Sequence, residues 1–123
     1  MRTHLPPKTQ ATRIENRHGG GVPDLFLQMD GVGLWVELKV EKSSRVLLTP
    51  NQVAWHLRHA ACGGRSYVMC RCPASPKVVI VPGSSAALVA SEGLSPCVPV
   101  IATDDVAEAL RALRLDALRP PGP

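Results

Sequence analysis

Apolar and polar positions break this chain into short runs whose spacing predicts its elements. Leu25 to Met29 is apolar except for Gln28 and reads as a strand. Asp30-Gly31, followed by Val32-Gly33, is a hairpin-turn signal, and Leu34 to Val40 returns as a second strand. Side chains alternate along a strand. Val36, Leu38 and Val40 therefore share one face and can enter a core, while Trp35, Glu37 and Lys39 share the other. Thr49-Pro50-Asn51-Gln52 opens a helix: Thr49 is a good N-cap, Pro50 fits the first helical position, and Gln52 completes a capping box. The helix is predicted to run to about Ala61, where Gly63-Gly64 stops it. Val53, Leu57, Ala60 and Ala61 form its apolar stripe, and Gln52, His56 and His59 form a polar one.

Ser66 to Arg71 and Lys77 to Val81 read as further strands, followed by a short helix over about Ser84–Ser91. Pro99 confines a short strand at Val98–Ile101 to a sheet edge. Thr103 is placed to cap a last helix, with Val106, Leu110 and Leu113 as its core stripe and Arg111 and Arg114 near its end. Upstream, residues 1–12 contain Pro6-Pro7 and read as a loose arm or a short helical turn. Arg13 to Arg17 reads as a short strand or the end of that turn, and His18 to Gly21 as a flexible linker. The succession strand, strand, helix, strand, strand implies an α/β fold with a mixed sheet and a right-handed crossover.

Composition narrows the partners. A chain of 123 residues suggests one domain, and 45% hydrophobic with 3% aromatic residues implies a core of Val, Leu, Ile and Ala. The net charge of +4 suits a polyanion without requiring one. Arg2, Lys8, Arg13, Arg17, Lys39, Lys42 and Arg45 all lie in the first part of the chain. No apolar run is long enough to span a membrane, and the N-terminus lacks a secretory h-region, so a cytoplasmic protein is expected. Cys62, Cys70, Cys72 and Cys97 match no zinc spacing and read as buried reduced thiols.

The chemistry centres on Pro23-Asp24 before the first of these strands and Glu37-Leu38-Lys39 on the second. Alone, the first is a turn and the second a solvated strand face with a weak ion pair. Together on paired strands they can form a metal-dependent nuclease site. Magnesium takes oxygen ligands and keeps several waters, so Asp24, Glu37 and the Leu38 carbonyl suffice to hold it, while Lys39 meets a phosphate or the attacking water.

Gly21-Val22-Pro23-Asp24, Trp35-Val36-Glu37-Leu38-Lys39 and Leu48-Thr49-Pro50-Asn51-Gln52 together resemble the PD-(D/E)XK nuclease superfamily. Within it, the chain is similar to small VRR-NUC and Holliday-junction-resolvase-like proteins often found in phages, which would place it in the host cytoplasm. The resemblance covers a core of about residues 13–81. It implies a restriction-endonuclease-like αβββαβ core, with a C-terminal helical extension at 82–118 and a frayed tail at 119–123. It also implies Mg²⁺-dependent DNA endonuclease activity, with Mn²⁺ able to substitute and branched or junction DNA as a candidate substrate class. A homodimer and no small-molecule cofactor are expected. Asp24 and Glu37 would be metal ligands, Lys39 catalytic, and Gln52 either the helix glutamine that faces the site or only a capping residue. Such proteins commonly begin with a long helix bearing a further acid; here Glu15 either supplies that acid, as catalytic residue and metal ligand, or is a surface charge. Arg13, Arg17, His18, Lys42, Arg45 and His56 are candidate DNA contacts, each with a solvated loop or helix face as its alternative. Trp35 belongs either to the edge of the site or to a core or dimer contact. The competing functions are a non-catalytic DNA-binding module and a plain interaction protein.

Overall fold

The computed structural model describes residues 7–15 and 20–120. They form an α/β structure around one mixed six-stranded sheet. The strands are β1 (Thr9–Arg13), β2 (Leu25–Met29), β3 (Val32–Val40), β4 (Ser66–Cys72), β5 (Lys77–Pro82) and β6 (Ile101–Thr103). The helices are α1 (Pro50–Ala61), α2 (Ala86–Glu92), entered through a 3₁₀ turn at Gly83–Ser85, and α3 (Val106–Leu118). Spatial order follows chain order from β1 to β6. Every pairing is antiparallel except β3 with β4, which α1 connects as a parallel crossover.

The β2–β3 turn is the two-residue Asp30-Gly31, with φ of 47° and 82°. Positive φ at both positions matches the twist of a tight hairpin, which is why an Asp-Gly pair sits there. Leu25, Leu27 and Met29 of β2 lie with Leu34 and Val36 of β3, Tyr67 and Met69 of β4, and Ile80 of β5 on one sheet face. Leu110, Leu113, Ala109 and Ala117 of α3 cover them. On the other face Val68, Cys70, Cys72 and Val81 form a second cluster with Val89 of α2 and with Val46.

Several sequence expectations are corrected. Residues 9–12, expected in a loose arm, form the edge strand β1 together with Arg13, expected in a short strand or turn, because Thr9 to Arg13 find backbone partners along β2 from Met29 to Leu25. Leu38 and Val40, expected in the core with Val36, are each 40% exposed. Alternation is obeyed, but α3 covers only the first half of that face. The open half forms an apolar cavity of about 780 Å³ that Leu38, Val40, Leu47, Met69 and Val78 help to line. Helix α1 is rotated from its expected orientation: His56 is fully buried while Leu57 is 40% exposed. Asp105, rather than Thr103, caps α3, accepting from Ala107 N at 2.9 Å, while Thr103 Oγ1 accepts from Asp105 N at 3.1 Å. The last strand runs over Ile101–Thr103 instead of Val98–Ile101. Cys62 is exposed and Cys97 half-buried, against an expectation of four buried thiols; Cys70 and Cys72 are buried. Among the described residues, no helix is long and apolar enough to cross a membrane.

Candidate functional site

The site grows from a mismatch in strand length. β2 begins at Leu25, which pairs with Val36, whereas β3 continues to Val40. Residues 37–40 therefore overhang β2, and the Leu38 N–H has no strand partner on that side. The Asp24 side chain fills the gap: its Oδ2 accepts from Leu38 N at 2.9 Å. Its backbone carbonyl accepts from Ile14 N at 2.8 Å, so Asp24 is pinned between the end of β1 and the overhang of β3. A residue's N–H and C=O leave the same side of a strand. The Leu38 carbonyl thus also points to the β2 side, close to Asp24.

The chain reaches Asp24 through Gly21, whose φ is 79°. A Cβ there would stand 2.2 Å from the Asn51 carbonyl oxygen and 2.8 Å from Gln52 N. Only a glycine lets this segment lie against the first turn of α1. Ile14, Gly21, Asp24, Thr49, Asn51 and Gln52 help to line a cavity of about 330 Å³ at this junction.

Glu37 lies on the same sheet face as Asp24, beside Val68 of β4, and is 2% exposed. Burial, followed by its hydrogen bond to Asp24 and the charge of Asp24, pushes its carboxyl up from 4.5 to about 8, with Lys39 acting in the opposite sense. Two carboxyl groups can share a hydrogen bond only if one holds a proton. Glu37 Oε1 is buried without a hydrogen-bond partner. Lys39 follows on that face, and its Nζ donates to Gln52 Oε1 at 3.1 Å. The same oxygen accepts from Thr49 N at 2.9 Å while Gln52 N donates to Thr49 Oγ1 at 3.1 Å. Gln52 therefore does both things its sequence position offered: it closes the capping box and faces the acid–lysine set.

Asp24, Glu37, Lys39 and Gln52 are thus brought together by β2, β3 and α1. Glu15 is exposed just after β1 and does not line the cavity at Asp24. Among the described residues no three His, Cys, Asp or Glu side chains gather for a metal, so Glu15 does not join the two carboxylates. Arg13 is exposed at the end of β1. Lys42 and Arg45 exchange backbone hydrogen bonds around the Ser43-Ser44 turn and border the apolar cavity of Leu38 and Val40. Arg17 and His18 lie outside the described residues. His56 cannot meet a phosphate backbone: it is fully buried, with Nδ1 2.8 Å from Ser66 Oγ, and burial pushes its pKa down from 6.5 to about 4.

Sequence reasoning missed Trp55 and Phe26. Phe26 lies directly opposite Trp35 in the hairpin, at 4.9 Å between ring centroids, and Trp35 meets Trp55 of α1 at 5.4 Å. Trp55 stacks on His59 at 4.6 Å. The signal available was the hairpin register set by Asp30-Gly31, which places Phe26 across from Trp35 on the Glu37 face. No family model, curated protein or solved structure matches the chain.

Proposed function

We propose that the chain is a divalent-metal-dependent DNA endonuclease built on a restriction-endonuclease-like core. The observation that carries this reading is the placement of Asp24, bonded to the Leu38 amide, and buried Glu37 on one sheet face beside a lysine that Gln52 holds. The succession β1–β2–β3–α1–β4, with its parallel crossover, supports it. The helix that would open such a core has no counterpart among the described residues.

The donor set fits a hard cation. Glu37 keeps one oxygen buried and unpartnered, and two carboxylates with a backbone carbonyl leave room for the waters magnesium retains. Asp24, Glu37 and the Leu38 carbonyl would hold the ion. When bound, it would offset phosphate charge and make an attacking water more acidic. Glu37 gives up its proton to serve as a ligand. Lys39, kept beside the carboxylates by Gln52, donates to a phosphate oxygen or orients the water. Gln52 places that ammonium, and its own position is set by the helix cap. Branched DNA is the proposed substrate class and a homodimer with paired sites the proposed assembly.

Labelled junction, flap and linear DNA incubated with the protein, with and without Mg²⁺, tests the reading. Cleavage that needs Mg²⁺ and falls at least about a hundredfold in Lys39→Ala is expected, the scale of a lost proton-transfer or charge-stabilising group. Intact substrates, or a Lys39→Ala protein that cuts as well as the wild type, would refute it. Light scattering checks the dimer.

A further inference from the structure

We propose that Trp35 and Trp55 form a stacking platform for an unpaired nucleobase next to the Asp24–Glu37 pair. This deepens the nuclease reading and rests on it for the nature of the ligand.

The placement of the rings carries the inference. The core of this protein is aliphatic. Phe26, Trp35 and Trp55 are all its Phe and Trp residues; the one remaining aromatic, Tyr67, is buried against α3. These three gather, with His59, on the sheet face that carries Asp24 and Glu37, and all four are half-buried. Phe26 is two residues beyond Asp24 on β2, and Trp35 two residues before Glu37 on β3. Two residues of strand advance about 6.5–7 Å. That is about two nucleotide steps at 3.4 Å per strand.

The surrounding backbone is trimmed to admit the rings. A Cβ on Gly33 would lie 2.6 Å from Phe26 Cζ, and one on Gly64 would lie 2.2 Å from His59 Nε2. At both edges of the cluster a ring lies in the space a Cβ would take. Arg58, exposed, follows Trp55 by three residues, the spacing of neighbours on a helix surface, and adds a cation for a phosphate. An aromatic platform edged by positive charge is how proteins hold single-stranded nucleic acid without reading its sequence, because every base offers a π face. Duplex bases are already stacked, so the platform selects substrates that present an unpaired base.

Both tryptophans of the chain belong to the cluster, so intrinsic fluorescence reports on it directly. The test is titration of the full protein in EDTA with an oligothymidine of about 12 nucleotides, within the usual site sizes. An abasic oligonucleotide of equal length and a blunt duplex are the controls. The oligothymidine should quench the tryptophan emission, and the abasic strand, with the same phosphates, should not. Trp55→Leu should weaken oligothymidine binding roughly five- to a hundredfold while leaving duplex binding within about twofold. Trp55→Phe should restore most of it, which separates a lost ring from a damaged fold. Equal binding and quenching by the abasic strand overturns the inference. So does no binding of oligothymidine, an equal loss on duplex in Trp55→Leu, or no rescue by Trp55→Phe. Because the titration excludes metal, base-dependent quenching together with intact substrates in the Mg²⁺ cleavage panel would sink the nuclease reading alone, and Mg²⁺-dependent cleavage with no difference between the oligothymidine and the abasic strand in the titration would sink the platform alone.

Discussion

Replacing Glu37 by glutamine should make the metal-free protein more stable at alkaline pH. The folded state holds the Glu37 proton until about pH 8, whereas the ordinary carboxyl releases it near 4.5. Between those values the folded state binds more protons than the unfolded chain, so raising the pH destabilises it. At 1.36 kcal/mol per pKa unit the whole difference is on the order of 4–5 kcal/mol, an upper bound if water reaches the pair on ionisation. His56 works the other way. Its pKa is pushed down from 6.5 to about 4, so the unfolded chain takes up a proton first and stability rises with pH across that window. From pH 4.5 to 6.5 the two slopes oppose each other. Above 6.5 only the Glu37 slope persists, and it removes about 2 kcal/mol by pH 8. Urea unfolding in EDTA from pH 4.5 to 8.5 reads this directly. Wild type should be nearly flat to 6.5 and then fall, whereas Glu37→Gln should rise to 6.5 and then stay level. Adding Mg²⁺ at pH 8 to a hundred times its dissociation constant should return about 2.7 kcal/mol to wild type and far less to the variant. Parallel curves for the two proteins in EDTA would refute the account of Glu37 as a buried, proton-sharing carboxyl.

His56→Leu should remove the opposing slope, so that in the same urea assay stability falls steadily as pH rises from 4.5 to 8 instead of staying flat to 6.5, at a cost of about 1–3 kcal/mol from the Ser66 hydroxyl left behind. Gly21→Ala places a methyl against the Asn51 carbonyl at positive φ and should cost at least about 2 kcal/mol, seen as a lower urea midpoint together with lost Mg²⁺ stabilisation. Gln52→Ala breaks the capping box and releases Lys39; it should lower stability by about 0.5–2 kcal/mol by thermal melting and slow cleavage by more than that loss of folded protein explains.

Much of the fold was legible because local signals agree with tertiary ones. Asp30-Gly31 fixed the hairpin register, and Thr49-Pro50 with Gln52 fixed the start of α1. The hairpin and the cap hold the site's side chains, which is why the sequence alone puts Glu37 and Lys39 on one face and brings Asp24 near them. What failed depended on partners distant in sequence. Thr9 to Arg13 has no pattern of its own and becomes a strand only because β2 offers an edge. The apolar stripe on α1 was misplaced because Val53 and Leu57 look like core. The buried wall is instead His56, whose Nδ1 meets Ser66 of the following strand while its Nε2 has no hydrogen-bond partner. Leu38 and Val40 follow the expected alternation, but nothing in β3 says how far α3 reaches. The raised pKa of Glu37 depends on its burial, to which residues outside both motifs contribute, Val68 of β4 being its neighbour across the sheet.

The agreement between spatial and chain order along the sheet bears on how the site comes into being during folding. Strands docking in chain order would keep each closure local, with the α1 crossover the longest on the way to the site. The Asp24–Leu38 bond needs only the β2–β3 hairpin, and the Lys39–Gln52 bond needs α1 folded back as well. In that order the two carboxylates would meet while still hydrated, and Glu37 would take up its proton only as later elements bury it.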